Sequence, residues 1–316
     1  MKIRLPKEAP LILVIGGINS GKSGFVNYLH PDGEGARSAT GTQPRIIPLQ
    51  MGQELVYVVD TPELDIATRS ENDIFEEMTR FLGIQHETGC KLRGVIFVHP
   101  ITQPTAQGSE PTCLRMFQEL CGVEASGSLT VLTTRWDEVD IYVGSQRHQE
   151  LLSALQGAMT GCRTRARKFH PPSASLAQSL VGRVFNNEDV VLEIQKDVMS
   201  DDKALSETAA GRFVIGKLNE RLCRINEDMA TLTKGPGRLA GSDNSDIEGG
   251  VLAIIADLQA NVASRRRLGI AIRDQVQRVV REKTRRKLGP SKSSIQRFSD
   301  AVGWSIAAAT QKPTGT

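Results

Sequence analysis

The chain has few of the features that staple or anchor a protein. Its five cysteines are odd in number and include no C-x-x-C pair, which argues against a disulfide framework or a zinc ribbon and points to a reducing compartment. No stretch approaches the roughly 18 consecutive apolar residues of a membrane-spanning helix, so a soluble, cytoplasmic chain is the expectation. Residues Met1 to Pro10 carry a few basic side chains, but the apolar run after them is too short for the core of a signal peptide. Aromatic residues make up only 4% of the chain, and its basic segment offers no stacking platform, which argues against sequence-specific reading of nucleic acid. What is present is an ordinary globular composition, 39% hydrophobic and 24% charged over 316 residues. That length suits one sizeable α/β domain plus an extension, or two small domains.

The most informative segment is Leu11 to Ser23, an apolar strand running straight into G-x-x-x-x-G-K-S. Gly16 and Gly21 let backbone wrap closely around a phosphate chain, with Asn19, Ser20 and Gly24 in or beside the turn. Lys22 is suited to the β- and γ-phosphates and Ser23 to a Mg²⁺ ion, and a helix-compatible stretch from Gly24 to Leu29 follows. A nucleoside triphosphate with Mg²⁺ is the expected ligand.

Short apolar runs at 11–15, 46–50, 54–59, 94–98 and 129–133 read as buried strands, with Gly52 turning the second into the third as a hairpin. Helical segments at Asp73 to Leu82, Pro111 to Leu120 and Gln146 to Met159 alternate with the later strands. This order predicts a mostly parallel sheet with helices on both faces over 1–200. Beyond it, 201–316 read as a helical extension. Ile215, Leu218, Leu222, Ile225, Met229 and Leu232 form a heptad seam, and a breaker-rich stretch from Lys234 to Gly250 holds five glycines and a proline. A second seam runs from Val251, Ile255, Leu258 and Val262 through Arg265 and Gly269 to Ile272, Val276 and Val279. The seams suit either a helical hairpin packed on the first domain or on itself, or an intermolecular coiled coil.

Two further segments narrow the ligand. The third strand ends at Asp60-Thr61-Pro62, where a carboxylate at a strand's C-terminal end is placed to hold Mg²⁺. The fifth ends Thr133-Thr134-Arg135-Trp136-Asp137-Glu138. A carboxylate at Asp137 pairs with the N1–H and exocyclic amine of guanine, a donor pair that adenine lacks. Thr134 and Arg135 take the places of the Asn and Lys in N-K-x-D, and the Arg135 stem is expected to cover the base plane.

With these residues in place the chain resembles the septin-related GTPases, a group that includes chloroplast outer-envelope import receptors and the immunity-associated GTPases. It is most similar to fungal G-domain proteins. Matching segments are Gly16 to Ser23, Asp60-Thr61-Pro62, Gly94 to Ile101, Met116 to Gly122 and Thr133 to Val139, so the resemblance covers roughly 10–185. It implies a P-loop NTPase G domain that binds GTP or GDP with Mg²⁺. It also implies a γ-phosphate- and Mg²⁺-sensing threonine, assigned to Thr40 with Thr42 as runner-up. A last guanine-contacting loop would follow a strand near Arg167 to His170, with His170 or Pro171 beside the base. Lys22 and Thr40 are then the residues nearest to the chemistry. Glu63 replaces the glycine of D-T-P-G and no glutamine follows to orient a water, so slow hydrolysis, dependent on dimerisation across the nucleotide face, is expected. His99 at the fourth strand's end reads as a packed core histidine.

The net charge of +3 hides an asymmetry. Between Ser264 and Arg297 twelve basic residues face only Asp274 and Glu282, a local charge of +10 that leaves −7 on the rest of the chain. Such a segment suits anionic membrane, phosphate backbones or the acidic remainder of its own chain. The apolar patch Ala301 to Ala309 is too short to span a bilayer. The functional expectation is a guanine-nucleotide switch or scaffold that forms a homodimer. The competing reading is an ATP-binding P-loop kinase or transferase, which needs a substrate lid and an arginine pair for which the sequence offers no convincing candidate.

Overall fold

A computed structural model describes residues 9–17, 19–29, 45–61, 71–103, 112–158, 163–233, 263, 266–285 and 293–302. Strand β1 (Pro10–Gly16) is buried along its whole length. Its unbroken apolar run suits a strand covered on both faces. It pairs in parallel with β3 (Glu54–Asp60) on one side and β4 (Lys91–Pro100) on the other. Strands β5 (Leu129–Thr134) and β6 (Arg165–Lys168) continue the parallel set. Strand β2 (Arg45–Met51) closes the opposite edge as the antiparallel partner of β3, giving the order β2-β3-β1-β4-β5-β6. Gly52, at φ +62°, takes the first of two positions in the predicted hairpin turn. Pro48 sits in this edge strand, where a missing N–H is tolerated.

The pleat sorts the core. Leu11, Leu13 and Ile15 point into one hydrophobic cluster, while Ile12 and Val14 point into the other. The second cluster is covered by α1 (Lys22–Asn27) and α5 (Ala174–Phe185), the latter capped by Ser173, whose Oγ accepts from the Leu176 N–H at 3.2 Å. The first is covered by α2 (Glu71–Glu87), α3 (Thr112–Ala125) and the helices beyond residue 190. Helix α4 (Ile141–Ala158) flanks β6, and a short helical passage around α6 (Glu193–Gln195) leads to α7 (Ala209–Thr233).

The expected α/β architecture, a mostly parallel sheet with helices on both faces followed by a helical C-terminal part, is present. Its helical part packs on the helices that cover one face of the sheet. Ala210, Val214 and Leu218 are the buried row of α7, against α2 and α3. Ile215, expected in the seam, lies at its margin, because the buried row runs i, i+4, i+8 through Val214 and Ile215 is turned about 100° from Val214 on the helix. Ile272, Val276 and Val280 bury the Arg273–Arg285 helix against α2. There Gly83 permits the approach, since a Cβ would stand 3.2 Å from Val276 Cγ2 and 3.3 Å from Met199 Sδ. The Ser294–Val302 helix adds an edge-to-face pair, Phe81 with Phe298 at 5.3 Å. Its Ser294 Oγ accepts from the Ala9 N–H at 2.9 Å, joining the last described helix to the start of β1. Residues 234–262, Arg265 and the patch beyond Val302, named above, lie outside the described residues, as do the side chains of Ile225, Met229 and Leu232. Among the described residues no helix is long and apolar enough to cross a membrane.

Candidate functional site

The P-loop joins β1 to α1. A Cβ on Gly16 would fall 2.6 Å from Ser20 Oγ and 2.9 Å from the Val98 carbonyl oxygen, so only glycine lets the loop fold this close to β4. Gly21 stands at φ +83° ahead of α1, and Asn19 is also left-handed at φ +57°. Ser20 is 1% exposed, and among the described residues its hydroxyl has no hydrogen-bond partner. The Ser23 side chain and Gly24 are exposed one step further along.

Strand β5 braces this loop. The Thr134 hydroxyl donates to the Ser20 carbonyl, and Arg135, itself at φ +59°, donates from Nη1 to the Asn19 carbonyl at 2.9 Å. Thr134 therefore serves the loop backbone. The Arg135 guanidinium also holds Glu138 at 2.6 Å, a bond that raises its pKa.

At the end of β3, Asp60 is 4% exposed and carries two ion pairs. Lys22 Nζ is bonded to Oδ1 and donates to the Thr61 carbonyl at 2.6 Å. Arg45 Nη2 lies 3.3 Å from Oδ2 and 3.3 Å from Asn27 Oδ1. Arg45 was absent from the sequence expectations, yet counting back from the two-residue turn at Gly52 places it opposite Asp60.

The segment expected to recognise the base follows β5 as a single turn, Trp136–Glu138, with Asp137 exposed. Trp136 is buried beneath it as the bolt. Its Nε1–H donates to the Thr133 carbonyl at 3.1 Å and to Thr133 Oγ1 at 3.2 Å. Gly144 leaves room for the indole, since a Cβ there would lie 3.0 Å from Cζ3. The Lys168 ammonium stands 4.4 Å from the ring centroid. His148 packs at 5.6 Å and meets Thr133 Oγ1 through Nδ1 at 3.2 Å. Burial, followed by the Lys168 charge, lowers its pKa to about 4. His170 is exposed, 6.3 Å from the Trp136 ring. The structure thus brings His170 to the Trp136–Glu138 turn, and Asn19 and Ser20 to Thr134 and Arg135. His99 is buried at the end of β4, and that burial lowers its pKa to about 4. Thr40, Thr42 and Glu63 lie outside the described residues.

The residues fit a phosphate chain on two observations: the glycine cradle at Gly16 and the unpartnered Ser20 hydroxyl inside it. Among the described residues no cluster of three His, Cys, Asp or Glu could hold a metal ion alone. A Mg²⁺ ion here would need phosphate oxygens in addition to Ser23 and Asp60, as this ion normally binds.

No protein-family model matches the chain, and comparison with curated proteins finds no match. Solved structures similar to it include Toc33 from Arabidopsis thaliana in complex with GDP and Mg²⁺. That match has 17% identity and a TM-score of 0.45, over 58% of this chain and 88% of that one. Translation elongation factor SelB from Methanococcus maripaludis with GppNHp matches at 11% identity and a TM-score of 0.39, over 60% of this chain. SsGBP with GDP matches at 16% identity and a TM-score of 0.37, over 57% of this chain. The chain spans only 36% of the SelB chain and 49% of the SsGBP chain. The α/β architecture rests on the sheet order described above.

Proposed function

We propose that this chain is a guanine-nucleotide-binding protein that holds GTP or GDP with Mg²⁺, hydrolyses GTP slowly and acts as a switch or scaffold. The observation that carries the reading is the bracing of two loops against each other. Thr134 and Arg135 grip the P-loop backbone, while two residues on Asp137 presents an exposed carboxylate on a turn bolted by Trp136. In this reading Gly16, Asn19, Ser20, Gly21, Lys22, Ser23 and Gly24 cradle the phosphates and Ser23 with Asp60 holds the metal. Asp137 selects the base and His170 flanks it. Thr40 senses the γ-phosphate. Homodimerisation through the nucleotide face has one supporting feature, the exposed Ile141, Tyr142 and Val143 directly after the base-recognition turn, with Tyr142 83% exposed. A cytoplasmic location, with the basic segment 264–297 touching anionic membrane from the periphery, completes the proposal.

The experiment is calorimetry of the full chain with GTP, GDP, ATP and ADP in Mg²⁺. Micromolar or tighter guanine binding with adenine binding at least about 100-fold weaker supports the reading. Adenine binding without guanine binding rejects it in favour of an ATP-dependent enzyme. Asp137→Asn should weaken guanine nucleotides by about 100-fold and favour xanthine nucleotides; an unchanged base preference refutes the carboxylate's role.

A further inference from the structure

Asp60 holds one cation that a phosphate-binding motif does not account for. Arg45 opens β2 directly across the ladder from Asp60, and its guanidinium reaches Asp60 Oδ2 and Asn27 Oδ1 at 3.3 Å each. Lys22 holds the other carboxylate oxygen. One buried carboxylate therefore serves two cations, and any metal ion that takes it must displace at least one of them.

The two cations differ in where they go. Lys22 belongs to the P-loop and is positioned to exchange Asp60 and the Thr61 carbonyl for phosphate oxygens. Arg45 is fixed by the β2–β3 ladder, and among the described residues its remaining partner is the neutral amide of Asn27. When Lys22 leaves, the guanidinium stays beside the carboxylate. A divalent cation arriving there meets a like charge a few ångströms away, in surroundings that screen it weakly.

We propose that Arg45 is a built-in competitor for the metal, a positioning residue that occupies the Asp60 carboxylate until Mg²⁺ displaces it. It thereby sets the Mg²⁺ concentration at which a bound nucleotide becomes tightly held. The inference rests on the nucleotide reading of the P-loop, although not on the choice of base.

The test is release of a fluorescent N-methylanthraniloyl-GDP from the full chain across a Mg²⁺ titration, repeated with the ADP analogue. In the wild type, release slows with a defined Mg²⁺ midpoint. Arg45→Gln should lower that midpoint by about tenfold, each variant's release being normalised to its own rate in EDTA. Arg45→Met, equally neutral, should reproduce the shift, and Arg45→Lys, which keeps the charge, should stay within about threefold of wild type. Arg45 is part-exposed at a strand end, so these variants are expected to fold; thermal unfolding without nucleotide checks this. An unchanged or raised midpoint in the two neutral variants overturns the proposal, as does a Lys variant that behaves like them. If only the ADP analogue binds, the guanine assignment fails and the midpoint is read with ADP. Binding of neither analogue overturns both.

Discussion

At the P-loop, Gly16 tolerates no side chain because the space a Cβ would fill already holds Ser20 Oγ and the Val98 carbonyl. Gly16→Ala should abolish nucleotide binding and lower stability by about 1–3 kcal/mol, seen as lost calorimetric signal and an earlier denaturant midpoint. Gly21→Ala meets a second obstacle, its left-handed backbone, costing about 1–2 kcal/mol. Residues whose placement follows from local backbone chemistry are the ones legible in the sequence. The glycines, Lys22, Asp60 and Asp137 each sit at a fixed offset from a strand end, and the strand is visible as an apolar run. Arg45 and Trp136 were not legible in the same way. Arg45 acquires its partner through ladder register, and the Trp136 indole through the gap that Gly144 leaves one turn into α4. A reading that stops at motifs does not carry pairing forward, although the turn at Gly52 contained enough information to do so.

For the elements, strands were the clearest signal, since five apolar runs became five strands with little change in bounds. The heptad seams were less reliable guides. The first falls on α7 and the end of the second on the Arg273–Arg285 helix, but neither says what those helices face. In α7 the buried row is Ala210, Val214 and Leu218, turned toward α2 and α3, and the basic segment is held partly by its own chain. Arg267 pairs with Asp73 at 2.7 Å, and Arg273 with Asp202 at 2.9 Å. Both pairs are exposed, so each contributes at most about 1 kcal/mol, while apolar burial dominates the docking. Phe298→Ala should therefore cost about 3–5 kcal/mol in chemical denaturation, whereas Arg267→Ala should cost less than about 1 kcal/mol. The reverse order would show that charge, rather than packing, seats the final helix.

At the scale of the whole molecule, His99 and His148 stand out among the described residues, each with a pKa depressed to about 4. Each is neutral when folded and titrates near 6.5 when unfolded. Their stabilising contribution is complete above pH 6.5 and is lost progressively as pH falls toward 4, because the unfolded chain binds the protons first. For the more deeply buried His99 the full loss is roughly 3 kcal/mol. Denaturant unfolding at pH 7 and pH 4.5 should show this fall, and His99→Gln should flatten it. An equal slope in that variant would assign the acid sensitivity elsewhere. The hydrogen bond from the Ala9 N–H to Ser294 has a consequence for how such a chain is made. During synthesis β1 leaves the ribosome long before Ile295 and Phe298, which partly close the face of the sheet that carries Leu11 and Leu13. The two partners lie 285 residues apart in the chain, so the nascent strands wait with an uncovered apolar flank while that stretch is translated, the condition under which chaperones capture a growing chain.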